Sequence, residues 1–290
     1  MMRGVSTWAV AVRRPDGSVA TESFPLVSVL RRHRALRLPV IRGAVALVES
    51  LAIGFRALAI SANAQLPAGE REEIGRGTWI GTVTFALALS VGLFFLLPAG
   101  LASVSGVGGD NGVVFVVVEK VIRIGIFLGY LWLVSRLPDL QRVFQYHGAE
   151  HKAISAYEAG VPLTPASAQR FSRLHPRCGT SFLLIVMIVA IVVFAPFGKL
   201  EWQWLFLSRV VGIPLVAGLA FEVIKLFGRH RSRRWAQVLM WPGLQLQRLT
   251  TREPELAQLA VAITALEAVL ATEPARTTDE ADELGLEVAA

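Results

Sequence analysis

Residues 79–101 read WIGTVTFALALSVGLFFLLPAGL, twenty-three positions without one charge. A hydrocarbon core of about 30 Å requires about 20 apolar residues in a helix, and only helices or closed barrels satisfy their backbone groups there. This run therefore sets the fold class as an all-α polytopic membrane protein. A second clean run, 181–198 (SFLLIVMIVAIVVFAPFG), extends toward Trp202 and Trp204 as interface anchors. Two more runs are apolar but interrupted: 113–135 carries Glu119, Lys120 and Arg123, and 204–227 carries Arg209, Glu222 and Lys225. These four are the expected spans, in two hairpins over 79–135 and 180–227. Composition agrees: 53% hydrophobic residues against 18% charged, with mean hydropathy +0.53, excludes a purely soluble enzyme.

The basic residues alternate with the spans. Residues 1–78 hold 11, 102–112 none, 136–179 six, 199–203 one and 228–290 seven. Under the positive-inside rule both termini and the 136–179 loop face the cytoplasm. That accounts for the net charge of +7 without nucleic acid, and RHRSRR at 229–234 reads as a topology and anionic-lipid determinant. The single cysteine, Cys178, forms no intramolecular disulfide, and in the cytosol its thiol stays reduced.

Residues 40–66 are helix-like and apolar, yet Arg42, Glu49 and Arg56 recur every seven positions and continue to Asn63, giving one polar stripe. A fifth span here would carry eight basic residues, Arg3 to Arg42, outside, so the segment reads as an amphipathic or re-entrant helix that does not cross. Ahead of it, residues 1–39 contain TWAVAVRR and SVATES around Pro15-Asp16-Gly17, a β-hairpin signal, with no cleaved signal peptide preceding it. In 228–271 a basic segment leads into PELAQLAVAITALEAVLA, whose Leu256, Leu259, Ile263, Leu266 and Leu270 make an amphipathic helix that lies on the bundle or pairs with a partner. The acidic tail 272–290 lacks aromatics and reads as disordered.

Chemistry concentrates in the cytoplasmic His/Cys loop, 136–179. In YHGAEHKAISAYEAG, 146–160, His147 and His151 stand at i and i+4 and Glu150 lies beside the second: H-x-x-E-H, the inverted zinc-peptidase pattern. Two imidazoles on one helix face can bind a divalent metal, zinc by preference, while the carboxylate deprotonates water. Gly148 weakens the helix, a cost tolerated where backbone or ligand approaches closely. The loop ends in HPRCGTSF, 175–182, so that His175 or Cys178 can complete the ligand set; Glu222 competes as third ligand unless it pairs with Lys225 or Arg209. Lys152, Arg173 and Arg177 can hold an anionic substrate or lipid headgroup, or serve only as positive-inside charges.

The blocks MMRG, PVIRGAVALVESLAIGFRALAISAN, YHGAEHKAISAYEAG, HPRCGTSF, PLVAGLAFE, PGLQLQRLTTREPE and VAITAL run in order through nearly the whole chain. In them the chain resembles the YqhQ-like family of bacterial membrane proteins, of unknown function and described as metal-dependent enzymes. The resemblance implies a bacterial inner-membrane protein whose site is formed by His147, Glu150, His151, His175 and Cys178. It also implies a glycine-rich segment with a Glu ahead of Met-Met-Arg-Gly, which this sequence does not show. Three functions follow as expectations. The first is a membrane-embedded metal-dependent hydrolase acting on a membrane-protein or lipid substrate, with Glu150 as general base. The second is a nonenzymatic scaffold or assembly factor with a structural metal or none. A transporter is weaker, since no inverted repeat or paired broken helices are evident.

Overall fold

A computed structural model describes residues 1–32, 34–65, 76–107, 111–176, 178–197, 202–230 and 233–273. Three strands come first: β1 (Met2–Arg3), β2 (Thr7–Arg13) and β3 (Val19–Pro25), antiparallel in the order β1-β2-β3. The expected hairpin is β2–β3, in register from Thr7↔Pro25 to Arg13↔Val19, and β1 adds a third strand that the turn signal did not announce. Its turn forms because Gly17 takes φ 84° and Asp16 Oδ1 accepts hydrogen bonds from Ser18 N–H and Oγ–H.

Helices make up most of the remainder: α1 (Val29–Arg32), α2 (Ile41–Ala64), α3 (Arg76–Val91), α4 (Leu97–Val104), α5 (Gly112–Val134), α6 (Pro138–Glu158), α7 (Pro165–Ala168), α8 (Gly179–Phe194), α9 (Trp202–Arg229), α10 (Arg234–Thr250) and α11 (Leu256–Leu270). A π-helical turn, Gly92–Leu96, joins α3 to α4 without a break. Three helical stretches among the described residues are long and apolar enough to cross a membrane: Ile41–Ala64, Ile80–Val104 and Gly179–Phe197. Length and composition thus also admit 40–66, which the sequence reading set apart. In α5, Lys120 and Arg123 both ion-pair with Glu119, so the three charges that interrupt this apolar run satisfy one another.

The sheet lies between two helical layers, and the period of two along β2 decides what each face meets. Trp8, Val10 and Val12 pack against Ile53 and Ala57 of α2, while Ala9 joins Ala149, Ala153 and Ala156 of α6 and Leu259, Ile263 and Leu266 of α11. The three alanines of α6 let α11 approach closely. Helix α11 therefore packs within the protein, on α6 and β2, rather than offering its leucine face to a partner; only Leu256 of that stripe stays exposed. The tail assigned as disordered lies outside the described residues except at its start, where Glu273 accepts hydrogen bonds from the Ser6 and Thr7 amides.

Candidate metal centre

The 136–179 segment is largely helical rather than an open loop, and α6 carries the H-x-x-E-H pattern near its middle. Pro138 starts this helix at a position where its missing N–H costs nothing. Its i,i+4 spacing puts the His147 and His151 rings 4.5 Å apart between centroids. Cys178 reaches them from the N-cap of α8, where the Thr180 N–H donates to its sulfur at 3.4 Å. The donor atoms of His147, His151 and Cys178 all lie within 4.8 Å of one another, and Cys178 Sγ stands 3.3 Å from His147 Nε2.

The orientation of each ring is fixed from behind. His147 Nδ1 is 2.9 Å from the Thr250 carbonyl and His151 Nδ1 is 2.6 Å from the Arg173 carbonyl. A carbonyl only accepts, so each Nδ1 carries a proton and, in the neutral ring, each Nε2 is the lone-pair atom. His151 Nε2 is buried without a hydrogen-bond partner. Such carbonyl-held imidazoles are the usual outer support of metal-ligating histidines. Tetrahedral zinc bonds of 2.0–2.3 Å hold their donors about 3.3–3.6 Å apart. Cys178 Sγ and His147 Nε2 already stand at that spacing, and the remaining donor separations, at most 4.8 Å, exceed it by no more than about 1.5 Å. The donor set could therefore hold a metal ion.

Gly148 makes the support possible. A Cβ at this position would stand 2.2 Å from the Arg252 carbonyl oxygen, so only glycine admits the chain leaving α10. That chain donates Arg252 N–H to the Phe144 carbonyl at 2.9 Å and thereby brings the Thr250 carbonyl to His147. Without metal, the pair is electrostatically coupled. Burial alone would push the Cys178 thiol up, but the hydrogen bond from His147 and the charge of the two nearby histidines bring it down to about 5. Burial likewise opposes protonation of His147, yet the hydrogen bond to Cys178, its thiolate charge and Glu150 raise the imidazole to about 9.

The remaining sequence candidates stand elsewhere. His175 is buried one step outside the group, its ring 5.9 Å from that of His151 and its Nε2 3.6 Å from Glu158 Oε2. Glu222 joins α9 to α2, with Arg42 Nε at 2.7 Å, and is not among the three grouped donors; the sequence had offered Lys225 or Arg209 as its partner. Glu150 ion-pairs with the Met1 amino group while lying near enough to His147 to act on its charge. Lys152 is buried, 2.5 Å from Glu253 Oε1, and donates to the Gln169 carbonyl at 2.8 Å; Arg173 Nη1 donates to the Thr251 carbonyl at 3.1 Å. Arg177 lies outside the described residues. What sequence reasoning missed is the support: the Thr250 and Arg173 carbonyls, and fully buried Gln247, which accepts from His175 N–H at 2.9 Å and donates to the His175 carbonyl and Ser181 Oγ at 2.8 Å each. The one trace of this support in the sequence was Gly148, a glycine inside a helix, which admits the chain carrying the Thr250 carbonyl.

Residues 38–272 match the family model described as "Protein of unknown function (DUF1385)". The chain belongs to this family. It is also 34% identical over 290 residues to "Uncharacterized protein YqhQ" of Bacillus subtilis (strain 168), covering 94% of this chain and 90% of that one. No solved structure matches. The family match takes in α2 and every later helix, so all three grouped donors fall within the DUF1385 region, whereas the sheet precedes it.

Proposed function

We propose that the protein is a multi-pass membrane hydrolase dependent on a divalent metal, zinc by preference, with His147, His151 and Cys178 as ligands and Glu150 as general base. The reading carries the four-span topology with it: hairpins over 79–135 and 180–227, both termini and the site at the cytoplasmic face. One observation supports it above the others. Two imidazoles, each committed at Nδ1 to a backbone carbonyl, turn their Nε2 atoms toward one thiol, and one of those atoms is buried without a partner.

A zinc-type ion bound there would polarise a carbonyl or phosphoryl oxygen and make water a better nucleophile. The chain's own residues do the rest. With the ion bound, His147 and His151 would keep their proton at Nδ1, on the Thr250 and Arg173 carbonyls, and offer Nε2. Cys178, ionised at neutral pH, supplies negative charge at the N-terminus of α8, where the helix dipole favours it. Glu150, next to His151, accepts the proton of the water that attacks an amide, ester or phosphoryl centre, and returns it to the leaving group.

The scaffold reading keeps one supporting observation: His151 and Cys178 are each only 1% exposed, as in a closed structural site. Metal content separates the readings from no metal site at all, and activity separates them from each other. Wild-type protein, purified in detergent, should carry about one metal per chain, and His147→Ala, His151→Ala and Cys178→Ser should lose it. Glu150→Gln should keep the metal and lose hydrolysis of amide, ester and phosphoester amphiphiles. Unchanged metal content in both histidine variants would sink the site; full coordination by protein atoms, with no open position, would favour the scaffold.

A further inference from the structure

Helix α2 divides its contacts along its length. Its first turns meet α9: Gly43 packs on Phe221 and Gly218, Arg42 pairs with Glu222, and Ala46 shares a cluster with Leu30 and Phe221. From Glu49 onward it lies along the sheet. Glu49 accepts from Arg3, Ser28 Oγ–H and the Val29 amide; Arg56 sits 4.2 Å over the Phe24 ring; and Gln65, just past the helix, donates to the Arg13 carbonyl at 2.8 Å. Ile53, Ala57, Ile60 and Ala64 complete the seam with Trp8, Val10 and Val12. Of the polar stripe that made this segment ambiguous in sequence, Arg42 is thus met by α9 and Glu49 by Arg3, Ser28 and Val29, while Arg56 lies over Phe24 and stays exposed. From Glu49 to Gln65 the helix axis advances about 24 Å in continuous contact with the sheet and the chain leaving it.

Among the described residues, none packs on the opposite face. Val48, Leu51, Phe55 and Leu58 are each more than half exposed, and Ile41, Ala52, Ala59 and Ala62 extend the same exposed arc. At 100° per residue these eight positions fall within about a third of the helix circumference, and none of them is polar. A contiguous apolar arc of this kind on an otherwise well-packed unit marks an interaction surface. Two observations identify what covers it. The arc adjoins α9, one of the membrane hairpins of the reading above. Residues 27–65 also contain six arginines and one acidic residue, Glu49, a balance suited to anionic headgroups.

We propose that α2 lies in the plane of the cytoplasmic leaflet, its Val48–Leu51–Phe55–Leu58 face inserted at the boundary between headgroups and acyl chains of an anionic bilayer, with the sheet behind it in water. This inference uses the membrane topology of the proposed function but not its metal or hydrolysis. The strongest reason is the sheet itself: a spanning α2 would carry strands β2 and β3, with the charged turn at Arg14 and Asp16, into the hydrocarbon beside it.

The test is depth measured along the exposed arc. Spin labels at positions 41, 48, 55 and 62, each introduced as a single cysteine in a Cys178→Ala background, are read by oxygen and nickel-chelate accessibility in proteoliposomes containing phosphatidylglycerol. An in-plane helix gives one depth at all four positions, near the headgroup boundary. A spanning helix gives a depth that changes by about 1.5 Å per residue, some 30 Å over the set, and that result would overturn the proposal, as would free access of the nickel chelate at every position. Because the background removes a proposed metal ligand, wild-type protein is also photolabelled with diazirine lipids. Peptides of 41–64 should be labelled by a probe near the headgroup and not by one at the chain terminus; the reverse, or no labelling, overturns the inference. Neither measurement depends on bound metal, so loss of the metal site would leave this result standing, and the converse holds.

Discussion

Replacing Gly148 by alanine sets helix propensity against packing. In an isolated helix the change stabilises by about 1 kcal/mol. Here the new Cβ meets the Arg252 carbonyl oxygen at 2.2 Å, and restoring ordinary contact moves the 250–252 chain by about 1 Å off α6. Such overpacking costs about 1–3 kcal/mol, and two hydrogen bonds stretch with it: Arg252 N–H to the Phe144 carbonyl, and His147 Nδ1–H to the Thr250 carbonyl. Each contributes about 0.5–1.5 kcal/mol. Against the propensity gain, the net effect is a loss of about 1–5 kcal/mol. The loss of the Thr250 carbonyl also frees the His147 ring, which weakens metal binding by about 10- to 100-fold, as for other outer-support losses. Urea unfolding in detergent measures the first quantity and chelator competition the second. A Gly148→Ala protein as stable as wild type, with unaltered metal affinity, would refute the packing argument; reduced stability with unaltered affinity would refute only the role of the Thr250 carbonyl.

Other predictions follow from the same geometry. In metal-free protein the thiolate absorbance of Cys178 near 240 nm should titrate with a midpoint of about 5 and vanish in Cys178→Ser; a midpoint above 8 contradicts the coupling to His147. The depressed thiol contributes stability that is complete above its unfolded value near 9 and lost as pH falls through about 5, whereas the raised imidazole contributes stability complete below about 6.5 and lost as pH rises through about 9. Between about 6.5 and 9 the two slopes cancel, so metal-free stability from this pair should be flat there and fall between about 6.5 and 5, as unfolding across pH would show. Near pH 7, metal binding should release about one proton, the one on His147, measurable by calorimetry in buffers of different ionisation enthalpy; none or two would contradict the protonation states. Gln247→Leu removes the buried partner of His175 N–H and of Ser181 Oγ, leaves the His175 carbonyl only its bond from Cys178 N–H, and should cost about 2–4 kcal/mol in urea unfolding, a neutral result arguing against the network. His175→Ala should retain metal where Cys178→Ser loses it, and the opposite ranking would exchange their roles.

Sequence by itself determined what depends on local period and on chain composition. An uncharged run of twenty-three residues set a helix long and apolar enough to cross a membrane, alternation around Pro15-Asp16-Gly17 set β2 and β3, and i,i+4 spacing put His147 and His151 on one helix face, because these features follow from the helix or strand repeat alone. Tertiary structure decided what depends on contacts between distant segments. Which of His175, Cys178 and Glu222 meets the two histidines could not be read from order or spacing, since His175 and Cys178 are three residues apart and equally placed in sequence. The turn from His175 into α8 brings Cys178 alone to the pair. Glu222 is claimed by Arg42, 180 residues away, and the carbonyls of Thr250 and Arg173 that orient the rings belong to no motif, because every residue has a carbonyl. Likewise the polar stripe of 40–66 was visible as a period of seven, but only the sheet and α9 folded against the helix show which face of α2 is left exposed.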